Sequence, residues 1–446
     1  MPNPAFSSPT PNAAKIAVAD LDGVLRGKYV SAEKYAQILE KGFGFCNVIF
    51  GWDMTDLCYD NAQVSGWHTG YPDALAWPDT STQRAIPWES QLPLVLADFS
   101  KDESGAASVC PRSLLKRVVG KAAEMGYEAY FGAEYEWFSF RETPASVHEK
   151  GFQQLTPLSP GMFGYSMLRS SQHASYTDAL LQQLPAFGIP LEGLHTETGT
   201  GVYEAAIAHS GALEAADRAV LFKQGVKEIA HRQGLLASFM AKWDSGMPGC
   251  SGHLHQSLKH TGTEQPVFAG PGRPNGFSRA FEHYLAGQMA LLPILLPLLA
   301  PTVNSYKRLV EGSWAPVNMS WGIDNRTVAL RAIPGAQPRV EVRLGGADAN
   351  PYLAIAACLA AGLYGIENQL ELEQPPVSGD AYQIKGLPAL PRNLGDATAR
   401  LKAAPLAGEW LGEAFISHFV RTREWEWAQY SQAVTNWELK RYFEII

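Results

Sequence analysis

Glu134 and Glu136, in Gly132-Ala133-Glu134-Tyr135-Glu136-Trp137-Phe138, are two residues apart in an aromatic run and leave the same face of an extended chain. Like charges side by side repel, so either arginine on a neighbouring strand pairs them or a divalent cation offsets them. Taken alone, the fragment favours the arginine-paired reading. The same period of two returns in His253-Leu254-His255, inside GCSGHLHQSL, and in Arg339-Val340-Glu341-Val342-Arg343. Each of these in isolation is an ordinary histidine pair or a salt-bridge ladder. A further acidic pair, Glu197 and Glu204, lies in HTETGTGVYEAAI, where Gly199 and Gly201 let the backbone bend between the carboxylates; alone it would be a capped turn. Pooled, these segments gather carboxylates, imidazoles and arginines in a density that a protein interior accepts only when metal and anionic ligands compensate the charge. Oxygen-rich ligation selects Mg²⁺ or Mn²⁺ over zinc. Hard cations beside Arg308, Arg326, Arg331, Arg339 and Arg343 are the equipment of phosphoryl transfer. No Walker A sequence is present, so a nucleotide would be held outside the P-loop manner.

The elements that must position these groups follow from pattern. Residues 15–105 read as short strands and turns, a small β-rich domain preceded by a Pro- and Ser-rich leader over 1–14 that reads as disordered. From Pro111 the spacing turns helical (SLLKRVVGKAAEMG), then strand-like (YEAYFGAEYEWFSF), and this alternation continues to about residue 370, giving one large α+β unit over 106–446. Residues 371–392 read as a loop and 393–446 as mainly helical. The apolar run from Leu285 to Val303 contains Pro293, Pro297 and Pro301, which predicts a buried helix breaking before Asn304 and not a membrane span. One motif competes for attention: Asp20-Leu21-Asp22-Gly23-Val24 resembles the opening of haloacid-dehalogenase-type phosphatases. Asp-Gly between two strand-like runs is also a strong hairpin signal, and without downstream lysine and paired-aspartate motifs the hairpin is the better reading.

Composition narrows the partners. Lys+Arg 36 against Asp+Glu 44 leaves a net charge of −8, which excludes a strongly basic surface for nucleic acid. Only 18% of residues are charged while 46% are hydrophobic and 12 are Trp, so other subunits are expected to cover part of the surface. The cysteines Cys46, Cys58, Cys110, Cys250 and Cys358 are spread singly, which disfavours a disulfide framework and a zinc finger and predicts a reducing, cytoplasmic setting.

In order, GAEYEWF, HTETGTGVYE, GCSGHLHQSL, NSYKRL, NRTVALR and RVEVRL followed by NPYLA resemble the successive signature segments of the glutamine synthetase family over about residues 110–370. The resemblance implies an N-terminal β-grasp-like domain and a catalytic domain whose curved antiparallel sheet forms a metal-lined funnel. It implies ATP-dependent ligation of the glutamate γ-carboxylate to an amine through a γ-glutamyl phosphate, with two or three Mg²⁺ or Mn²⁺ ions. It also implies ring-shaped homo-oligomers, a single hexamer or two stacked hexamers, with sites between adjacent subunits. Carried over by motif, Glu136, Glu197 and Glu204 would hold the metal nearer the amino acid; Glu134, His253 and Glu341 would hold the nucleotide-side metal. His255 and Ser257 fall on nucleotide-contacting positions, Arg308 and Arg343 on the glutamate carboxylate, and Arg326, Arg331 and Arg339 on phosphates.

Two departures bear on the amine. Where ammonia-using members carry a glutamate that takes the ammonium proton, in a Tyr-Glu-Ala-Pro context, this chain has Gly312-Ser313-Trp314-Ala315-Pro316. An indole cannot deprotonate an ammonium ion, but it offers an apolar, cation-attracting wall suited to an organic amine. The family's front-domain Phe-Asp-Gly-Ser-Ser segment is replaced by Phe50-Gly51-Trp52-Asp53-Met54-Thr55-Asp56, which leaves Asp53, Asp56 or neither as the amine-binding acid. These changes resemble the γ-glutamyl-amide branch of the family, including γ-glutamylpolyamine synthetases. Trp314, with Trp52 and Tyr59 behind it, is expected to shape an amine pocket, and Glu311 is the alternative base that would keep ammonia in play. Asn393-Leu394-Gly395 has glycine where some bacterial members carry a tyrosine that is adenylylated, so that regulation is not expected. A non-catalytic member kept as an assembly or binding protein is the reading from another class; the complete metal set argues against it.

Overall fold

The Asp-Gly segment turns the chain between β1 (Ala13–Ala19) and β2 (Leu25–Ser31), an antiparallel hairpin in register from Ala13–Ser31 to Ala19–Leu25. Asp20 is spent on that turn. Its Oδ1 accepts the amides of Asp22 at 3.0 Å and Val24 at 2.9 Å, and its Oδ2 accepts Arg26 Nε at 2.9 Å. This computed structural model describes residues 12–446. The expected leader lies outside the described residues as far as residue 11, and Ala13 and Ala14 already belong to β1.

The front sheet is completed by β3 (Phe43–Cys46), β4 (Asp73–Pro78), β5 (Arg84–Ile86) and β6 (Leu92–Asp98), in the order β2-β1-β6-β4-β3 with β5 also on β6. β1 and β6 run parallel; the other pairs are antiparallel. The second sheet holds β7 (Tyr127–Phe140), β8 (Leu191–Thr196), β9 (Val202–Gly211), β10 (Leu236–Ser238), β11 (Gly252–His260), β12 (Trp321–Ile323), β13 (Leu330–Ile333) and β14 (Arg339–Val342). Its order is β12-β13-β14-β11-β7-β9-β8, with β10 also on β7. All its pairs are antiparallel except β12–β13, a parallel edge in the expected antiparallel sheet.

Behind this sheet stand the helices Pro111–Glu124, Ala212–Arg232, Arg279–Leu295 and Pro351–Glu367. The last two cross backbone against backbone: a Cβ on Gly287 would lie 2.2 Å from the Ala361 carbonyl, and one on Gly365 2.0 Å from that of His283. The apolar run after Leu285 ends its α-helix at Leu295 and breaks before Asn304, which starts the short helix Ser305–Arg308. Residues 371–392 form a loop with one short 3₁₀ turn, and the chain closes in helices Leu394–Lys402, Pro405–Leu411, Glu413–Gln432 and Asn436–Tyr442. Gly395 packs on Trp427, whose indole would meet a Cβ there at 2.7 Å.

One continuous apolar cluster joins the front sheet to the rest. A buried charge network pins the joint. Arg112 donates to both oxygens of Asp217 at 2.9 and 2.8 Å, to Asp98 at 2.6 Å and to Asp79 at 2.9 Å, while the Tyr352 hydroxyl donates to Asp217 at 2.6 Å. Burial alone would raise the pKa of Asp79, but Ser81, Arg112 and Lys116 outweigh it and hold the group at about 2. Arg112→Met should cost about 3–5 kcal/mol in denaturant unfolding, the range for stripping one partner from a buried ion network. Because the folded Asp79 value lies below the ordinary 3.8, its stabilisation is complete above that value and lost as pH falls toward 2. Over that window the parent should lose more stability than Arg112→Met does, read by unfolding midpoints at stepped pH.

Candidate active site

Alternation along β7 divides its side chains between two faces. Phe131, Ala133, Tyr135 and Trp137 are buried, with the last two packed on Phe222 of the helix Ala212–Arg232 at ring distances of 6.1 and 5.7 Å. Glu134 and Glu136 therefore point the other way, into a cavity. Strand register sets what faces them. His253 stands opposite Glu134, Glu341 opposite His255, Glu204 opposite Glu136, and His195 opposite Glu204. Polar groups thus run in a row across β14, β11, β7, β9 and β8.

At one end of the row, His255 Nε2 lies 3.1 Å from Glu134 Oε1, and His253 Nδ1 lies 3.3 Å from Glu341 Oε1 and 3.8 Å from Glu134 Oε2. Glu341 also takes Arg331 Nη1 at 2.8 Å and Arg343 Nη1. One donor atom from each of Glu134, His255 and Glu341 lies within 4.8 Å of the others. At the other end His195, Glu197 and Glu204 satisfy the same condition, with Glu136 beside them. The bend that brings Glu197 to Glu204 requires glycine: Gly201 has φ +68°, and a Cβ there would sit 2.5 Å from the Ser139 carbonyl.

The two ends differ electrically. Burial would raise the pKa of Glu134, but hydrogen bonds with His253 and His255 outweigh it and hold the group well below the carboxylate range. Burial likewise opposes Glu341, which His253 and Arg343 bring down to about 2. Glu136 goes the other way: burial, then the facing Glu204, push it well above the ordinary value, against a 2.8 Å hydrogen bond from the Ser251 amide. An acid so placed is stabilised in its charged form by a cation. The donor sets fit hard divalent ions, with Glu136, Glu197 and Glu204 at one end and Glu134, Glu341 and the two imidazoles of β11 at the other.

A cavity of about 600 Å³ is lined by the acids of both ends and His253 together with Arg308, Arg326, Arg331 and Arg343, with Tyr165 and Trp314 also on its wall. A second cavity of about 320 Å³ shares Glu134 and is lined by His255, Ser257 and Arg339. Arg308 is buried, and its guanidinium donates to the carbonyls of Leu344 and Arg343 at 3.2 Å. Arg343 keeps a buried Nε without a protein partner. Trp314 is 61% exposed, in the left-handed region at φ +59°, and its carbonyl accepts Arg343 Nη2 at 3.3 Å.

Every residue assigned a role from the signature segments therefore lines one of the two cavities. The front-domain candidates do not: none of the described residues 12–105 lines either. Trp52 lies under the Arg26 guanidinium at 5.1 Å, and Asp53 accepts the amides of Thr55 and Leu57. Asp56 pairs with Arg26 at 2.7 Å, and Tyr59 is buried against Trp425 at 5.2 Å. Within one chain, then, Trp52 and Tyr59 do not shape the pocket. Glu311 is exposed and lines neither cavity. Sequence reasoning missed His195, although His195-Thr196-Glu197 has the same period of two that marked the other strands. It also missed Tyr165, which no spacing announces. An irregular segment delivers it, through a 2.7 Å bond from its amide to the Thr196 carbonyl.

Acids spaced as divalent-cation ligands beside a cluster of arginines fit an enzyme that handles carboxylate and phosphate groups with the help of a metal ion. Residues 108–442 match the family described as glutamine synthetase, catalytic domain. Over 436 residues the chain is 52% identical to the type-1 glutamine synthetase 2 of Dictyostelium discoideum, covering 97% of this chain and 84% of that protein. It is 39% identical to a glutamate–isopropylamine ligase of a Pseudomonas species, with 97% and 95% covered. It is 34% identical to the γ-glutamylethanolamide synthetase GlnA4 of Streptomyces coelicolor, with 96% and 92% covered. A solved GmaS/ADP complex superposes with a TM-score of 0.85 at 30% identity, over 98% of this chain and 97% of that one. The chain belongs to the glutamine synthetase family and is a ligase of that family. Among the described residues no helix is long and apolar enough to cross a membrane.

The raised Glu136 carries a measurable consequence. Mn²⁺ titration of the metal-free protein at neutral pH, by calorimetry in buffers of different ionisation heat, should release protons, and Glu136→Gln should reduce both the release and the affinity. Equal proton release by parent and variant would assign the titrating group elsewhere.

Proposed function

We propose that this protein joins the γ-carboxylate of glutamate to an organic amine at the expense of ATP. In this reading Arg308 and Arg343 hold the amino acid, and Arg343 has the free Nε to do so. The nucleotide enters beside His255, Ser257 and Arg339, and Glu134, common to both cavities, lies where nucleotide and amino acid meet. Mg²⁺ or Mn²⁺, held by Glu136, Glu197 and Glu204 and by Glu134, Glu341 and the β11 imidazoles, supplies charge neutralisation between carboxylate and phosphate. A γ-carboxylate oxygen attacks the terminal phosphorus of ATP and ADP departs. The amine nitrogen then attacks the acyl carbon, phosphate leaves and one proton is given up. Arg326 and Arg331, on the cavity wall, face the charge that develops on the moving phosphoryl group.

The observation that carries the choice of amine is Trp314. Its indole lies on the cavity wall, at the motif position where, by the resemblance read from the sequence, ammonia-using members carry a glutamate, and an exposed indole face suits a cation with an attached carbon chain. The relatives named for isopropylamine and ethanolamide agree with this reading. The relative at 52% identity is named a glutamine synthetase, which makes ammonia the second reading. A homo-oligomeric ring belongs to the proposal as well: the front-domain residues that fail to reach their own cavity would be available to a neighbour's.

Phosphate release with ATP, Mg²⁺ and glutamate, measured across ammonia, short alkylamines, ethanolamine, aromatic amines and polyamines, should depend on glutamate and be fastest with an organic amine. Release fastest with ammonia would establish the second reading. Trp314→Glu should raise kcat/KM for ammonia relative to the best organic amine by about tenfold or more, the scale of one favourable contact. An unchanged ratio would remove the indole from amine selection.

A further inference from the structure

His195 groups with Glu197 and Glu204 but is assigned no role by the signature segments, and it stands in the same row as the acids. It pairs across the sheet with Glu204, and Glu204 pairs with Glu136, so β8, β9 and β7 present imidazole, carboxylate and carboxylate side by side. Nε2 lies 3.3 Å from Glu204 Oε1, and Nδ1 lies 3.7 Å from Glu197 Oε1.

Two features fix the ring. Tyr165 covers it, with centroids 4.5 Å apart at 31°, and Tyr165 is itself fastened by its amide to the Thr196 carbonyl at 2.7 Å. Nδ1 lies 3.3 Å from that same Thr196 carbonyl. Carbonyl and carboxylate both only accept, so each can take a proton from the ring, Thr196 from Nδ1 and Glu204 from Nε2; where a cation takes the place of the Nε2 proton, the Thr196 contact keeps the remaining proton on Nδ1 and the Nε2 lone pair faces the acids. Histidines that bind metals are oriented in this way, one ring nitrogen donating to a carbonyl or carboxylate while the other ligates. A cation in place of that proton would be shared by Nε2 and Glu204, with Glu136 and Glu197 on the same cavity wall.

We infer that His195 Nε2 is a direct ligand of the cation held by Glu136, Glu197 and Glu204, making that site a mixed nitrogen–oxygen one that favours Mn²⁺ over Mg²⁺. The inference rests on the ligase reading above. Imidazole adds affinity for first-row transition ions, whereas Mg²⁺ keeps to oxygen and water, so the nitrogen discriminates between the two. Tyr165 is the positioning residue that holds the ring on edge to the acids.

The test uses Mn²⁺ alone with the full-length, metal-free protein. In a His253→Asn, His255→Asn background, where β11 offers no imidazole, pulsed electron paramagnetic resonance of bound Mn²⁺ should still show coupling to a directly bound nitrogen. Adding His195→Asn should abolish it. In the otherwise unaltered chain, His195→Asn should weaken Mn²⁺ binding at this site about tenfold or more while changing Mg²⁺ binding far less. Tyr165→Leu should weaken Mn²⁺ binding less than His195→Asn does and leave the nitrogen coupling in place. Mn²⁺ bound without nitrogen coupling in the β11 double variant, or an unchanged Mn²⁺/Mg²⁺ preference in His195→Asn, would overturn the inference and leave the ligase reading standing. No Mn²⁺ binding by the parent protein would overturn both.

Discussion

Carboxylates set side by side on one face of a sheet repel, and much of this molecule is arranged to keep them there. A lone exposed pair would simply turn to solvent. Here Glu134, Glu136, Glu204 and Glu341 are fixed by strand register, and the opposite face of β7 is wedged against Phe222 through Tyr135 and Trp137. Turning an acid away would mean slipping a strand by one residue, which would drive those aromatic rings out of the core. The apolar face thus holds the polar face in an arrangement that the polar face would not choose by itself.

Compensation is uneven along the row, and that unevenness divides the labour. Around Glu341 the arginines and imidazoles already offset much of the charge, and in the proposed ligase this is the end that would take the nucleotide. Around Glu136 and Glu204 balance is lacking, and a cation would supply it. The mouth is built differently again, from the Gly312–Pro316 segment and the irregular chain that brings in Tyr165. Specificity can change there without disturbing strand register.

Much of this was legible in the sequence because a period of two survives in any strand. Tyr127–Phe140 could be read end to end, and with it the side on which Glu134 and Glu136 would lie. Pairing between strands was not legible: that His253 meets Glu134 while Glu341 meets His255 depends on register, which only the assembled sheet decides. His195 carried its signal in a short strand next to the conspicuous Glu197 and was passed over. Tyr165 carried none, since a backbone hydrogen bond from an irregular segment leaves no pattern in residue type. Trp52 and Tyr59 are ambiguous for the opposite reason. Aromatic residues suit both a binding wall and a core, and in this chain Tyr59 fills a core position against Trp425.

The crossing of the helices Arg279–Leu295 and Pro351–Glu367 limits how this scaffold can be altered. With Gly287 and Gly365 in backbone contact, even alanine, the smallest step in size, overfills the crossing. The two helices therefore cannot be spread by small increments, as a leucine-packed pair can when side chains are trimmed and regrown. Ancestors and engineers alike inherit the back of this domain as a fixed datum. Room for a bulkier substrate has to be found at the front, where the loops bearing Trp314 and Tyr165 have no such crossing to preserve.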